Sequence, residues 1–204
     1  TLKYVKKIVL MRDPRDILTS YYFFVLHTST VIWNHYLFQK DPLKYPLLNS
    51  DELKENLLLD VMENGSTYVF PNKLHFFPSM KALCEHFLSA IQDPQVYVLR
   101  FEDLHTQPLE TYQALLDWLG WRHHPLYPIS DDFIQSVLER ETFEYQTSGQ
   151  IKRGQSKADS MIHGTCRKGI IGDWQNHFSP KVTQKCLELV GEELKELGYE
   201  KVSP

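Results

Sequence analysis

The chain has 204 residues, of which 42% are hydrophobic and 24% charged, and its net charge is −4 at pH 7. Its nine glycines and eleven prolines are ordinary usage, which excludes collagen-like, low-complexity and wholly disordered chains. The small acidic excess argues against a general nucleic-acid binder, which would carry a surplus of basic residues. No apolar run approaches the roughly 20 residues that span a bilayer. We therefore expect one domain over residues 1–204, with neither a membrane segment nor a nucleic-acid partner.

The three cysteines, Cys84, Cys166 and Cys186, are odd in number and widely spaced. They contain no C-x-x-C pair, so they predict neither a disulfide framework nor a zinc site. The nine histidines form no H-E-x-x-H motif, and we expect no metal cofactor. Reduced thiols in the cytoplasm are the simpler interpretation, and we expect a cytoplasmic protein.

In chain order, the sequence begins with a hydrophobic strand over residues 7–12 and a helix that Asp13 caps and Pro14 opens. A chain without an initial Met that begins on a core strand is expected to be a piece of a longer protein. A second buried strand is predicted over 95–101. Two such strands among many helices predict an α/β fold with a parallel sheet covered on both faces. The spacing of apolar residues and the caps predict the other helices over about 31–38, 51–62, 77–90, 108–119 and 131–143, and from 180 onward. Gly120 is expected to end the helix over 108–119.

Residues 145–172 form the one segment that departs from this pattern, because they show no sustained periodicity and contain five of the nine glycines. Their net charge is +4, whereas the whole chain carries −4. A long loop of this kind inside a compact domain is usually functional or disordered. Its glycines and concentrated positive charge are typical of a lid over an anionic ligand, and a solvated surface loop is the alternative.

The first candidate anion site is the run R-D-P-R-D, which begins at Arg12 directly after the first strand, with Ser20 eight positions later. Open parallel sheets bind ligands at the carboxyl ends of their strands. The planar donor fork of an arginine and the hydroxyl of a serine both suit a phosphate. A surface Arg–Asp pair with an exposed serine is the alternative interpretation of these residues.

The second candidate is Arg167, Lys168 and Gly169, which precede a G-D-W run that ends at Trp174. Two cations beside a residue without a side chain allow both charges and the backbone N–H groups to converge on one phosphate. Trp174 is expected to be a core anchor at the end of the loop. Asp173 is expected to be either a cap or turn acceptor or a catalytic carboxylate.

Three motifs occur in a characteristic order: R-D-P-R-D-x-x-x-S, then R-F-E-D-L, then R-K-G-x-x-G-D-W-x-N-x-F. This order resembles the sulfotransferases that use 3′-phosphoadenosine 5′-phosphosulfate, and the resemblance corresponds to the C-terminal two thirds of their domain. It implies a three-layer α/β fold with a parallel sheet flanked by helices, similar to that of the P-loop nucleotide hydrolases. It also implies a small-molecule or carbohydrate acceptor and no metal. The G-Q-I-K-R-G-Q stretch resembles the microbial branch more than the animal detoxification enzymes.

The resemblance implies roles for residues at the 3′-phosphate of the donor. Arg12 and Ser20 match the positions that hold this phosphate. Arg167, Lys168 and Gly169 match the segment that closes over it.

Two phenylalanines match positions at the adenine end of the donor. Phe101 falls where the family usually has a tyrosine, so the ring is kept but a hydrogen bond is lost. Phe143 lies in the stretch that often borders the adenine.

The implied reaction is in-line transfer of a sulfuryl group to an acceptor hydroxyl or amine, with a base that activates the acceptor. In the family, the loop that grips the phosphosulfate and the catalytic histidine precede the first strand of this chain. Both are therefore expected upstream of Thr1, no catalytic residue is assigned, and the 204-residue chain alone is expected to be inactive. A non-catalytic nucleotide- or phosphate-binding module is the alternative hypothesis.

The family's dimer motif, K-x-x-x-T-V-x-x-x-E, is not present in this sequence. It would fall on Gln175, Ser179, Pro180 and Gln184, none of which matches the required residue type.

Overall fold

The computed structural model describes residues 6–28, 51–69, 74–142 and 168–200. The chain divides into two compact units, a first unit of Thr1–Arg12 with Ser89–Ser156 and a second unit of Asp13–Leu88 with Lys157–Pro204. The single domain expected over the whole chain stays a prediction. None of the helices in the described ranges is both long and apolar enough to cross a membrane.

In the described ranges the helices and strands follow the predicted order, with a hairpin, a short helix and a 3₁₀ turn in addition. The helix predicted over 31–38 lies outside the described residues. In chain order the elements are β1 (Lys7–Met11), α1 (Pro14–Thr28), α2 (Asp51–Asn64), β2 (Ser66–Val69), β3 (Leu74–Phe77), α3 (Met80–Gln92), β4 (Val96–Arg100), α4 (Phe101–Thr106), α5 (Pro108–Leu119), α6 (Asp131–Arg140), a 3₁₀ turn (Asp173–Asn176) and α7 (Pro180–Glu196).

The first unit contains the parallel pair that the two hydrophobic runs predicted. β1 pairs with β4 in a register that places Leu10 opposite Leu99 and Met11 opposite Arg100. α4 and α5 pack against β4, and α5 packs against α6. Gly120 ends α5 in the left-handed conformation, as expected from its place after the apolar stripe.

Within β1, burial is confined to the last residue, Met11. Met11 is completely buried, whereas the side chains of Ile8 and Leu10 are 47% and 55% exposed. Successive residues of a strand point to opposite faces, so Ile8 and Leu10 share the face that Met11 does not. The expectation of a strand covered on both sides is therefore not met at this face.

The second unit contains the hairpin β2–β3 and several helices, and its helices enclose an apolar core. α1 packs against α2 and against the 3₁₀ turn, and α2 packs against α7. Asp13 caps α1 as predicted, because its Oδ1 accepts the backbone N–H of Arg15 at 2.9 Å. The most deeply buried apolar side chains of this unit are Leu18, Leu58, Met62, Val182, Val190, Leu194 and Leu197.

Cys84 and Cys186 are buried in the second unit and are free thiols. Burial raises the pKa of each to about 12, so both remain protonated at neutral pH and are unreactive. This agrees with the predicted reduced state. Cys166 lies outside the described residues.

The hairpin β2–β3 was not predicted, and residue 77 was placed in a helix. β2 and β3 pair antiparallel with Ser66 opposite Phe77, and α3 begins only at Met80. The turn from α2 into β2 uses Gly65 at φ +68°, a conformation that side chains disfavour. A Cβ on Gly65 would lie 2.5 Å from the carbonyl oxygen of Phe77.

Gly65→Ala is expected to lower the free energy of unfolding by at least about 2 kcal/mol, because strain at positive φ adds to a backbone clash. The matched control is Gly120→Ala, since Gly120 has φ +77° but no atom within 4 Å of an added Cβ. In Gly120→Ala, backbone strain alone should lower the free energy of unfolding by about 1 kcal/mol. Urea unfolding measures both values, and equal losses would contradict the steric argument.

Candidate functional site

The predicted site residues divide between the two units and the part of the chain that the structure does not describe. Arg12 and Phe101 lie in the first unit, and Ser20, Lys168 and Gly169 in the second. Arg167, Phe143 and most of the loop 145–172 lie outside the described residues, so their predicted roles stay predictions.

In the first unit the structure brings Arg12 and Phe101 together. Arg12 directly follows β1, and its guanidinium carbon lies 4.3 Å from the centroid of the Phe101 ring. This is a cation–π contact. Phe101 is the first residue of α4, rather than the last of a strand as predicted, and its ring is 4.0 Å from that of His105. The ring therefore supports the side chain of Arg12.

In the second unit, the first turn of α1 carries a buried ion pair. Arg15 is only 3% exposed, and its Nη2 and Nε donate to the carboxylate of Asp13 at 2.7 and 2.9 Å. The same guanidinium donates to the carbonyl of Tyr199 and lies 4.0 Å from the centroid of the Trp174 ring. The alternative of a surface Arg–Asp pair is therefore wrong, and Ser20 is half-buried rather than exposed.

Asp16 joins α1 to the segment that follows R-K-G. It is 1% exposed. Its Oδ2 accepts the backbone N–H of Gly172 at 2.7 Å, and its Oδ1 accepts that of Trp174 at 3.0 Å. Asp16 was not predicted as a site residue, because the two amides that it holds lie far away along the chain.

Asp173 is the acceptor at the centre of a second buried group. Its Oδ1 accepts from Asn176 Nδ2 at 3.0 Å and faces Lys168 Nζ at 3.4 Å, and its Oδ2 lies 3.1 Å from His177 Nε2. On the other side of the imidazole, Lys54 Nζ lies 2.9 Å from Nδ1. Because an ammonium group only donates, Nδ1 accepts and Nε2 carries the proton. Asp173 therefore accepts from side chains of its own segment, and both of its predicted roles stay predictions.

The end of the basic loop is anchored as predicted. Trp174 and Phe178 are 4% and 9% exposed, and their rings meet edge to face at 5.5 Å. Gly169 and Gly172 both have positive φ, at +63° and +78°, which fixes sharp turns between Lys168 and the anchor.

The chemistry of these residues suits an anion. In the ranges that the structure describes, no three His, Cys, Asp or Glu side chains lie where they could hold a metal ion. The predicted residues of the second unit supply an ammonium group, a hydroxyl and the N–H of Gly169, all of which can donate to phosphate oxygens.

The family that the motifs resemble is also found by direct comparison. The profile of the sulfotransferase domain matches residues 1–198. The chain belongs to this family. The predicted membership, which rested on the R-D-P and R-K-G motifs, is confirmed.

Similar proteins include a flavonol 3-sulfotransferase from Flaveria bidentis and sulfotransferase 2A1 from Mus musculus. The first is 21% identical over 201 residues, which cover 95% of this chain and 56% of the relative. The second is 29% identical over 177 residues, which cover 85% of this chain and 51% of the relative. The chain thus spans about half the length of these relatives. The first relative is from a plant and the second from an animal. The predicted resemblance to the microbial branch stays a prediction.

Among solved structures, a mouse sulfotransferase complexed with PAP has a TM-score of 0.55 and 17% identity, covering 95% of this chain and 59% of that chain. Retinol dehydratase in complex with androsterone and the inactive cofactor PAP also has a TM-score of 0.55, with 21% identity over 94% of this chain and 48% of that chain. At this identity the likeness shows the fold. The predicted α/β sulfotransferase fold, similar to that of the P-loop nucleotide hydrolases, is confirmed.

Proposed function

We propose that this sulfotransferase domain binds 3′-phosphoadenosine 5′-phosphosulfate and takes part in transfer of its sulfuryl group to an acceptor hydroxyl or amine. The observation that carries the proposal is the R-D-P, R-F-E-D-L and R-K-G order within a family match over residues 1–198. The PAP complexes of the solved relatives support it, since PAP (adenosine 3′,5′-bisphosphate) is what the donor becomes when the sulfuryl group leaves.

Five residues are proposed to contact the 3′-phosphate: Arg12, Ser20, Arg167, Lys168 and Gly169. Their types support the assignment, because they supply cationic groups, a hydroxyl and a backbone N–H. Lys168 can donate to a phosphate while it faces Asp173, since an ammonium group has three donor hydrogens.

Phe101 and Phe143 are proposed to border the adenine. For Phe101, the contact of its ring with Arg12 supports a second contribution, which is to hold the guanidinium in place for the phosphate. A tyrosine hydroxyl is absent at this position, so the proposed contact is limited to the ring.

The acceptor is proposed to be a small molecule or a carbohydrate. The protein is proposed to be located in the cytoplasm. The names of the curated relatives support a small-molecule acceptor, because one of them is a flavonol sulfotransferase.

Arg167→Ala is expected to weaken binding of adenosine 3′,5′-bisphosphate roughly ten- to a hundredfold, since a charge-assisted hydrogen bond contributes about 1.5–3 kcal/mol. Lys168→Ala should have a milder effect, because part of its interaction is with Asp173. Isothermal calorimetry measures both affinities. Lys185→Ala is the matched control, as Lys185 pairs with Glu63 on the surface, and it should leave the affinity unchanged. Unchanged affinity in Arg167→Ala would remove that residue from the site.

Transfer itself is tested with the protein as purified from its source, radiolabelled donor and a panel of phenols, flavonols and steroid alcohols. Labelled product supports the enzyme. Bisphosphate binding without transfer to any acceptor in the panel favours the non-catalytic nucleotide-binding module.

A further inference from the structure

The carboxylate of Asp16 is the point at which α1 holds the chain that leaves the basic loop. It lies in the first turn of the helix, is 1% exposed, and accepts the N–H groups of Gly172 and Trp174. Each of its two oxygens accepts one of these groups. Charge-assisted hydrogen bonds of this kind are strong in a buried setting, so the two amides are held in both position and direction.

The residue between the two held amides is Asp173, whose carboxylate faces Lys168 at 3.4 Å. Fixing the amides on both sides of Asp173 fixes its backbone, and with it the direction of its Cα–Cβ bond. Asp16 therefore controls the placement of the ammonium group of Lys168 through Asp173. Gly169 lies only three residues before Gly172, so its N–H is constrained by the same attachment.

The helix that carries Asp16 also carries Ser20 four residues later, and residues four apart lie on the same side of a helix. The attachment at Asp16 thus holds the segment that follows R-K-G against the side of α1 on which Ser20 lies. Arg15 strengthens this attachment, because its guanidinium lies against the Trp174 ring.

We propose that Asp16 is a positioning residue for recognition of the nucleotide 3′-phosphate: it holds the backbone of Gly172 and Trp174, and thereby sets the positions of Lys168 and Gly169. This proposal rests on the proposed function, because it assumes that the R-K-G segment binds the phosphate. Asp16 itself does not touch the nucleotide.

The test is Asp16→Asn in the full chain, with affinities for adenosine 3′,5′-bisphosphate and adenosine 5′-phosphate measured by calorimetry. The amide has one acceptor oxygen, and its NH₂ group would face the second backbone N–H. Affinity for the bisphosphate should fall roughly tenfold, whereas that for the monophosphate should change less than about twofold. A merely structural role would lower both affinities alike and leave their ratio unchanged.

Asp60→Asn is the matched control, because Asp60 is also a buried carboxylate of the second unit and accepts from the Asn64 side chain on α2. It should leave the ratio of the two affinities at the wild-type value. If Asp16→Asn does not fold, Asp16→Glu is measured instead, since it keeps both carboxylate oxygens and moves them by one methylene. The ratio of its affinity for the bisphosphate to its affinity for the monophosphate should again be lower than in the wild-type protein.

Two contrary results are distinguishable. A wild-type protein that binds both nucleotides equally would overturn the proposed 3′-phosphate site, and the role of Asp16 with it. A wild-type protein that prefers the bisphosphate, with the same preference in the Asp16 variants, would overturn the role of Asp16 alone.

Discussion

Asp173→Ala is expected to lower the free energy of unfolding by about 3–5 kcal/mol, the range found when one partner of a buried charged pair is removed. Asp173 is 1% exposed, and its carboxylate meets donors from Lys168, Asn176 and His177. Removing it takes the acceptor from all three and leaves a cavity at the end of the basic loop. Urea unfolding, followed by circular dichroism, measures the loss.

Two variants calibrate this result. Asp173→Asn keeps the shape and one acceptor oxygen, so its loss should be intermediate. Asp51→Ala removes an exposed carboxylate from the first turn of α2, where interaction with the helix dipole is worth under about 1 kcal/mol. Losses of the same size for Asp173→Ala and Asp51→Ala would show that the buried group contributes little.

The second large effect is expected at the 3′-phosphate of the nucleotide. If Arg12, Ser20 and the segment 167–169 all recognise this group, its removal takes away three or more charge-assisted contacts. Each should contribute about 1 kcal/mol even after water partly replaces it, which corresponds in sum to roughly a hundredfold in affinity. Arg12→Ala should reduce the difference in affinity between adenosine 3′,5′-bisphosphate and adenosine 5′-phosphate. Without Arg12, fewer donors lose a partner when the 3′-phosphate is absent.

Local sequence signals predicted much of the fold, and they failed on very short strands and at one boundary between a strand and a helix. The continuous apolar runs predicted β1 and β4, and Asp13 and Gly120 act as the expected caps. The hairpin β2–β3 was missed because its strands have only four residues each and lack a clear alternation. Phe101 was assigned to a strand because apolar character alone does not show where a strand ends and α4 begins.

For the candidate site, the sequence identified residues suited to an anion but not the contacts that hold them. Trp174 was predicted as an anchor because a large aromatic residue ends a glycine-rich loop, and it is buried. The role of Asp16 could not be predicted from spacing, since Asp16 and Gly172 are 156 positions apart in the chain. Lys54 and His177 were missed for the same reason, being 123 positions apart.

Recognition of the 3′-phosphate is tested by a competition experiment between adenosine 3′,5′-bisphosphate and adenosine 5′-phosphate. We expect the bisphosphate to bind roughly a hundredfold more tightly to the wild-type protein and the ratio to fall in Arg12→Ala. Equal affinities of the two nucleotides would contradict the assignment of Arg12, Ser20 and the R-K-G segment to this phosphate.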